Sequence, residues 1–335
     1  MPSSPGSVGD VTIWTDAAAS PLVTRVLDRL GQSVRPVAVG GPRCREVDQL
    51  ARHLECDSED DLRKLVVEHP AAFVLFAAAS GQSGREMAGA LGHSTSVLAV
   101  EPVVATFDDL KTVEKQIRRT GKVTHLAWNQ IISPGSFLRG PGWSAAAEPT
   151  EILANPRLIQ FTSTGPRSDR SLFARLYEAW EIVLQFGAMP QQIDASLSGR
   201  SVRMPHDLRQ LQGHLAAHAR VDDQTTALVL VSDDAGIPAR HLEVIGDEAH
   251  LRVGDLDYQL ADTRGEALDR TPAADRDAVF AGFVADDWLR LIERGPAATN
   301  LKPSVEHILA CCHASALAAH TGQGESPAKM LEMVS

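Results

Sequence analysis

Three histidines stand close together in the second half of the chain and are the first candidates for chemistry. We expect a helix here, and on it His214 and His218, four residues apart, share one face, which is the spacing of a two-histidine metal site; His206 precedes them. The stretch lacks the glutamate of a zinc protease, and no third ligand stands at a fixed spacing. We therefore interpret these residues as surface histidines and predict no metal.

A second candidate is the turn that follows the first predicted strand, residues 11–14. Such a turn holds a dinucleotide pyrophosphate when its glycines let the phosphates approach the backbone N–H groups at a helix N-terminus. The turn in this chain contains no glycine and carries a negative charge; its residues are Thr15, Asp16, Ala17, Ala18, Ala19 and Ser20. We favour an ordinary strand-to-helix turn, with an atypical dinucleotide site as the alternative.

The second predicted strand, residues 35–39, ends without the carboxylate that normally holds the ribose hydroxyls of NAD. Two glycines and a proline follow the strand, and Arg43 comes next. Arg43 or Arg45 is a candidate to accept the 2′-phosphate of NADP. Without a glycine turn nearby, a surface arginine is the simpler interpretation.

Short apolar runs alternate with amphipathic stretches along the first half of the chain. The runs predict strands over residues 11–14, 35–39, 73–76 and 97–100. The stretches predict helices over residues 21–30, 46–54, 57–67, 83–91 and 107–119. We expect Asp57 or Ser58 to cap the third helix and Thr106 the last. Apolar strands separated by helices indicate a parallel sheet with helices on both faces, a Rossmann-like doubly wound α/β domain over residues 11–121, after a flexible leader of residues 1–10.

Residues 122–335 differ in character and predict an α+β domain with an open, largely antiparallel sheet. The strand-like runs are separated by turn signals and cover residues 192–197, 225–231, 241–245, 250–253 and 256–260. Helices are predicted over residues 172–186, 279–293 and 305–321, and the first of them should end at Gly187. The last helix is a candidate to pack back on the first domain.

Four segments, taken in chain order, carry a family resemblance. Residues 69–80 resemble a strand ending in A-T-P-N, and residues 97–110, V-L-A-V-E-P-V-V-A-T-F-D-D-L, resemble a strand ending in E-K-P. Residues 242–253, L-E-V-I-G-D-E-A-H-L-R-V, are similar to a hairpin L-E-I-x-G-T-x-G-x-L-R-V, and residues 305–321 to a C-terminal helix. In these features the chain resembles, over nearly its whole length, the glucose–fructose oxidoreductase / inositol dehydrogenase / MocA family of nicotinamide-dependent oxidoreductases.

The resemblance implies where a cofactor and a substrate would bind. The implied cofactor-binding positions are Thr15, Asp16, Ala17, Ala18, Arg43, Ala79, Ser80 and Glu101. The family's catalytic lysine in E-K-P falls on Glu101, and its D-x-x-x-H pair, counted back from Gly187, falls on Phe173 and Tyr177. Glu101 can act as a base but cannot donate the cationic hydrogen bond that stabilises an alkoxide. Tyr177 can in principle donate a proton.

The family's chemistry-bearing positions are replaced together. This favours a protein that has lost nicotinamide-dependent catalysis, binds no cofactor, and acts as a binding, regulatory or structural subunit, with an active paralogue as a candidate partner. The alternative is an active NAD- or NADP-dependent oxidoreductase on a sugar or cyclitol, with a rebuilt cofactor and catalytic site that uses Glu101 or Tyr177. The resemblance also implies a homodimer or tetramer through the second domain's sheet, and a small-molecule ligand in the cleft between the domains.

The composition excludes several classes of protein. The 335 residues include 32 Lys and Arg against 43 Asp and Glu, a formal net charge of -11, which disfavours binding to nucleic acid or to anionic membranes. No apolar run approaches the about 20 residues of a membrane helix. The four cysteines form no C-x-x-C pair, so we expect a reducing, cytoplasmic setting.

Overall fold

The computed structural model describes residues 9–77, 86, 89–90, 96–99, 102, 104–119, 131–132, 140–146, 153, 155–199, 207–271, 282, 285–286, 289 and 304–333. The chain divides into two compact units. The first comprises Met1–Pro134 with Val279–Asn300, and the second comprises Gly135–Ala278 with Leu301–Ser335. Each unit is therefore built from two separate stretches of chain.

The described strands of the first unit form one parallel sheet. They are β1 (Gly9–Thr15), β2 (Val34–Gly40), β3 (Asp57–Glu59), β4 (Phe73–Ala77), β5 (Ser96–Ala99) and β6 (Ile131–Ile132). The strand order is β3-β2-β1-β4-β5-β6, so the order reverses between β1 and β4. The helices between them are α1 (Ser20–Leu30), α2 (Arg45–His53), α3 (Leu62–Glu68) and α4 (Phe107–Arg119). The predicted Rossmann-like α/β domain is confirmed, although β1 begins at Gly9, within the predicted leader.

One apolar stripe holds α1 in place. Leu22, Val26 and Leu30 recur at helical spacing and belong to the same buried cluster as Ile13 of β1 and Val39 of β2. Complete burial of a side chain of this size contributes about 1.5 to 3 kcal/mol. The stripe therefore fixes the helix, and with it the turn that connects β1 to α1.

The helix predicted over residues 57–67, with Asp57 or Ser58 as its cap, is wrong in its first turn. Those two residues belong to β3, which pairs with β2. The helix α3 begins at Leu62 and is capped by Asp61, whose side chain accepts hydrogen bonds from two N–H groups of the first turn. The edge of β2 offers backbone groups that this acidic run pairs with, and a local sequence pattern cannot reveal that partner.

The described strands of the second unit form one sheet. They are β7 (Pro156–Pro166), β8 (Gln192–Ser198), β9 (His214–Arg220), β10 (Thr226–Ser232), β11 (Asp234–Gly246), β12 (Ala249–Gly254), β13 (Tyr258–Asp262) and β14 (Ala267–Arg270). Their order is β14-β13-β12-β11-β7-β10-β9-β8, with β7 and β10 parallel and the other pairs antiparallel. The helices are α5 (Pro141–Ala146), α6 (Leu172–Phe186), α7 (Val305–Thr321) and α8 (Pro327–Glu332). The predicted open, largely antiparallel sheet is confirmed.

The helix α6 is almost entirely buried in the second unit. It begins after Ser171, whose Oγ accepts a hydrogen bond from the N–H of Ala174 at 3.1 Å, and it ends before Gly187 as predicted. It packs against β7, β10 and α7, and Trp180 donates a hydrogen bond from Nε1 to Ser315 of α7 at 3.0 Å. The helix α7 also packs along β8. Burial on nearly all sides explains why α6 is mainly apolar around its circumference, with Arg175, Glu178 and Glu181 as charged exceptions.

Three strands of the second unit, β7, β9 and β14, are absent from the sequence predictions. The stretch that contains His214 and His218 is the strand β9, not a helix, and its residues alternate between exposed and buried. The strand β7 is absent from the predicted strands, although Ile159, Phe161 and Ser163 on one face are all buried. Its other positions are mostly polar and the run ends in glycine and proline, so these turn and loop residues obscured its period-2 alternation.

Some predicted segments lie wholly or partly outside the described residues. The helices predicted over residues 83–91 and 279–293 are described only in part, and the residues described there are helical. Within the described ranges, none of the helices combines the length and the apolar content that crossing a membrane requires.

Candidate functional site

An open α/β sheet binds its ligand beyond the carboxyl ends of its strands, where the strand order reverses. In the first unit this point lies between β1 and β4. Thr15 ends β1, and its Oγ1 donates a hydrogen bond to the carbonyl oxygen of Ala77 at the end of β4, at 2.8 Å. A side chain thus joins the two strand ends directly, and the turn that follows Thr15 is the first part of the candidate site.

Asp16 closes this turn with both its side chain and its backbone. Its Oδ1 accepts a hydrogen bond from the N–H of Ala19 at 2.9 Å. Its carbonyl oxygen accepts hydrogen bonds from the N–H of Ser20 at 3.0 Å and from the hydroxyl of Ser20 at 2.8 Å. Asp16 is buried, so its carboxylate is fixed at the beginning of α1. The predicted strand-to-helix turn is present, and its single acidic residue organises it.

A pyrophosphate bound in the manner of a glycine turn does not fit here. Its negative charge would meet the Asp16 carboxylate, and the N–H of Ala19 already has an acceptor. Ala17 and Ala18 are exposed and carry β-carbons where glycines would allow close approach. A dinucleotide that binds at this sheet must therefore use other contacts.

The loop after β2 closely approaches the same turn. A β-carbon on Gly41 would overlap the carbonyl oxygen of Thr15, so only glycine allows the ends of β1 and β2 to approach in this way. Arg43, two residues further on, is exposed and forms an ion pair with Asp60, which follows β3. Arg45, the other candidate in this loop, is also exposed at the start of α2.

A cavity of about 490 Å³ lies beside these strand ends. It is lined by a residue near the end of β1, by the beginning of α3 and by helical residues that follow β4: Trp14, Asp60, Asp61, Leu62, Arg63, Val66, Glu86, Gly89 and Ala90. Because Asp60 is the partner of Arg43, the ion pair adjoins the cavity. Apolar and aromatic side chains with a few charged groups are typical of a small-molecule site.

The two positions that the resemblance assigns to acid–base chemistry are buried in α6. Phe173 and Tyr177 pack edge to face, with their ring centroids 6.1 Å apart. Burial raises the pKa of the Tyr177 phenol well above its usual value, and Glu181 and Cys312 raise it further. The phenol therefore stays protonated at neutral pH, so it can donate a hydrogen bond but cannot serve as a general base.

A network of buried charges surrounds α6, and the sequence did not predict it. Glu178 on α6 accepts hydrogen bonds from Arg170 and, at 2.9 Å, from Arg240 of β11. Arg240 also donates to Asp255 at 2.7 Å. The available signal was three charged residues, Arg175, Glu178 and Glu181, within a mainly apolar helix. The network ties α6 to β11 and to the turn after β12.

The charges in this network shift each other's pKa. Burial opposes the ionisation of Glu178, but Arg170 and Arg240 outweigh it and hold the pKa of Glu178 below its usual value. Burial raises the pKa of Asp255 despite the attraction of Arg240. The network therefore contains one carboxylate that the fold stabilises and one whose ionisation the fold opposes.

The remaining candidate residues do not meet in one place. His214 and His218 point to the exposed face of β9, and His214 Nδ1 is 2.8 Å from the hydroxyl of Ser232. Among the described residues, no group of three or more His, Cys, Asp or Glu side chains could hold a metal ion. The other candidates lie outside the described residues: Ala79, Ser80, Glu101 and His206.

Comparison with known proteins identifies the fold. No protein-family model matches the chain, and no curated protein matches its sequence. Solved structures do match, and they are oxidoreductases of the glucose–fructose oxidoreductase / inositol dehydrogenase / MocA type. The fold that the resemblance implies is therefore confirmed.

Three of these structures illustrate the sequence identities, coverages and TM-scores of the matches. An oxidoreductase from Agrobacterium radiobacter, solved with NAD⁺, L-tartaric acid and magnesium, is 11% identical, with a TM-score of 0.72 over 97% of this chain and 100% of that one. UDP-N-acetylglucosamine 3-dehydrogenase from Acidithiobacillus ferrooxidans is 13% identical, with a TM-score of 0.68 over 94% and 99%. Biliverdin reductase from Synechocystis, solved with biliverdin and NADP⁺, is 16% identical, with a TM-score of 0.65 over 92% and 98%.

These structures overturn the hypothesis that nicotinamide-dependent catalysis has been lost and that the protein is only a binding, regulatory or structural subunit. The chain keeps the fold of oxidoreductases over 92% to 97% of its length, and two of them were solved with NAD⁺ or NADP⁺. The replaced motif positions indicate only that a site here would differ from the family's usual one. They do not by themselves indicate that activity has been lost. The expectation that no cofactor binds is not supported by these structures, two of which contain NAD⁺ or NADP⁺.

Proposed function

We propose that this protein is an active NAD(P)-dependent oxidoreductase with a rebuilt cofactor and catalytic site, acting on a sugar or cyclitol. The observation that carries the proposal is the 490 Å³ cavity at the carboxyl ends of a parallel sheet, in a chain that shares its fold with nicotinamide oxidoreductases along nearly all of its length. Ligands of open α/β sheets bind at this edge. The cavity is large enough for the adenosine part of a dinucleotide.

Two arginines at this cavity, Arg43 beside it and Arg63 in its wall, favour NADP over NAD, against the carboxylates of Asp60, Asp61 and Glu86 that also line it. The loop after β2 offers no carboxylate for the ribose hydroxyls, but it carries the exposed Arg43. Arg63 lines the cavity itself. A guanidinium group binds a phosphate through two parallel hydrogen bonds, and Arg43 can exchange its present partner, Asp60, for the 2′-phosphate. The pyrophosphate must then pass Asp16 without the contacts of a glycine turn.

A hydroxylated substrate agrees with what the matching structures contain. One is a dehydrogenase of a nucleotide-linked sugar, and another holds L-tartaric acid. For acid–base chemistry, Glu101 remains the candidate base. Tyr177, whose pKa is raised by burial, is suited only to donate a hydrogen bond.

Titration of the protein with NADPH, NADP⁺, NADH and NAD⁺, followed by calorimetry and by the fluorescence of the reduced cofactors, tests the proposal. We expect NADPH to bind more tightly than NADH. The variant Arg43→Ala should weaken NADPH binding about tenfold, since a charged hydrogen bond contributes about 1.5 to 3 kcal/mol. NADH binding should change by less than about twofold.

Arg52→Ala is the matched control for Arg43→Ala. Arg52 is an exposed arginine in the same unit, and its Nε donates a hydrogen bond to the carbonyl oxygen of Asp48 in its own helix. The Arg52→Ala variant should bind NADPH like the wild type. If none of the four cofactors binds, or if Arg43→Ala weakens NADH as much as NADPH, the proposal is wrong. Turnover is then measured on a panel of sugars and cyclitols by the absorbance of the reduced nicotinamide.

We also propose that the protein assembles as a homodimer or tetramer through the open face of the second unit's sheet, and that it acts in the cytoplasm. Leu230 and Ile245 on that face are 42% and 39% exposed. Exposed aliphatic side chains on an open sheet support burial by a partner.

A further inference from the structure

The outer edge of the second unit's sheet contains a cavity that the proposed function does not use. It has a volume of about 340 Å³ and lies where β12, β13 and β14 meet. Its wall is mainly polar and includes His241, Arg252, Asp257, Gln259, Arg270 and Thr271. The volume falls within the range of small-molecule sites.

The register of the strands sets two arginines on either side of an amide. Arg252 of β12 pairs directly with Gln259 of β13, which pairs directly with Arg270 of β14. Residues paired in this way share one face of a sheet. Two guanidinium groups and a carboxamide therefore project from the same face, next to one another, along three neighbouring strands.

Neither arginine is committed to a close partner. Among the described residues, the Arg270 side chain has neither an ion pair nor a hydrogen bond. Arg252 is 3.7 Å from Glu243, with 62% of its side chain exposed. By contrast, Arg157 of the same unit holds Asp247 through two hydrogen bonds, at 2.6 and 2.9 Å. The two arginines of the cavity thus retain their capacity to bind an anion.

We propose that this cavity is a second small-molecule site, which binds a hydroxylated compound that carries a phosphate or a carboxylate. Guanidinium groups recognise these oxyanions through paired N–H donors, and the Gln259 amide adds a further donor between them. Asp257 and Thr271 supply oxygen acceptors to the same wall, and these suit the hydroxyl groups of a sugar. A small sugar phosphate or sugar acid has both features.

Calorimetric titration with glucose 6-phosphate, gluconate and glucose, in the presence of saturating NADPH, tests this proposal. The phosphate and the carboxylate compounds distinguish the two oxyanions, and glucose lacks both. We expect at least one anion to bind and glucose to bind at least about tenfold more weakly. Arg252→Ala and Arg270→Ala should each weaken the binding of that anion about tenfold.

Arg264→Ala is the matched control, because Arg264 is an exposed arginine in the turn between β13 and β14. The Arg264→Ala variant should bind the anions like the wild type. Thermal unfolding of all three variants checks that they fold. The proposal is overturned if neither anion binds, if glucose binds as well as the anions, or if Arg252→Ala and Arg270→Ala bind like the wild type. NADPH affinity is measured in the same variants and should not change, so this site and the cofactor site can fail independently.

Discussion

Asp16 has two effects that substitution can separate: it completes the turn before α1, and it brings a negative charge to the strand end. Asp16→Asn keeps an oxygen that can accept the hydrogen bond from Ala19 but removes the charge. We expect NADPH to bind about fivefold more tightly to this variant, because a like charge a few ångströms from a phosphate costs about 1 kcal/mol in water. Calorimetry of the wild type and the variant measures the change.

Asp16→Ala is the companion variant, because it removes both the charge and the acceptor. Loss of the hydrogen bond from the N–H of Ala19 costs about 1 kcal/mol, so Asp16→Ala should unfold at a lower urea concentration than Asp16→Asn. Equal NADPH affinity in the wild type and Asp16→Asn would mean that the pyrophosphate does not pass this turn.

Glu178 is the residue on which the buried charges of the second unit depend. Glu178→Gln leaves Arg170 and Arg240 without the carboxylate that they share. Removing one member of a buried ion pair costs about 3 to 5 kcal/mol, and we expect a loss of that size in urea unfolding. Asp255→Asn is the control: it removes one partner of Arg240 but leaves Glu178 in place, and burial opposes the ionisation of Asp255, so any loss of stability should be smaller.

The same network makes stability depend on pH in a defined direction. The pKa of Glu178 is lowered in the folded protein, so its contribution is complete above its unfolded pKa of about 4.3 and is lost as the pH falls through its lower folded value. The pKa of Asp255 is raised, so its ionisation costs stability at neutral pH, and that cost is relieved on acidification. The melting temperatures of the wild type and Glu178→Gln should therefore converge in acid. A constant difference would contradict this assignment.

Among single residues, position was predictable and role was not. The sequence placed residues 15–20 correctly between a strand and a helix, because apolar periodicity fixes where β1 ends and α1 begins. It could not show that the Asp16 carboxylate turns back to the N–H of Ala19, since that depends on side-chain geometry. The contact between Glu178 and Arg240 joins residues 62 positions apart, so no local pattern contains it.

At the scale of elements, the close approach of β1 and β2 is the feature most sensitive to substitution. Gly41→Ala would force its β-carbon into the carbonyl oxygen of Thr15. We expect this variant to lose about 1 to 3 kcal/mol of stability, the usual cost of overpacking, and to bind NADPH more weakly because the loop with Arg43 is displaced. Unfolding in urea and cofactor titration measure the two effects.

Gly236→Ala serves as the control for Gly41→Ala, because nothing lies within 4 Å of a β-carbon added at Gly236. It should change stability by no more than about 0.5 kcal/mol, like an ordinary surface substitution. Equal stability of Gly41→Ala and Gly236→Ala would contradict this prediction, because it would mean that the ends of β1 and β2 can move apart to accommodate the added β-carbon.

Elements were predictable where one local period decides them. The apolar spacing of α1 and the mainly apolar sequence of α6 identify both helices. Of the missed strands, β3 was predicted as part of a helix, β9 was assigned to one because of two histidines, and β7 was not predicted. The partners of β7, which are β10 and β11, stand far away in sequence, and propensity does not report such pairing. The partners of β9 are its neighbours β8 and β10, so there the i, i+4 spacing of the histidines was misleading.

At the scale of the whole molecule, the open sheet face is where a second copy should bind. Leu158, Leu228, Leu230 and Ile245 lie on this face of the adjacent strands β7, β10 and β11, as their register shows. A stable interface buries about 800 Å² on each partner, and a patch of aliphatic side chains at its centre supplies much of the affinity. The strands β12 to β14, with their polar cavity, lie to one side of this patch.

Leu230→Arg tests this assembly. A charge placed in the centre of the interface should weaken self-association at least about thirtyfold, which corresponds to a loss of about 2 kcal/mol. Ile237→Arg is the control, since Ile237 is 79% exposed at the start of β11, where pairing with β7 is interrupted. Sedimentation velocity should show an oligomer for the wild type and Ile237→Arg and a shift to monomer for Leu230→Arg. A monomeric wild type would mean that the protein does not assemble through this face. An unchanged oligomer in Leu230→Arg would mean that the interface lies elsewhere.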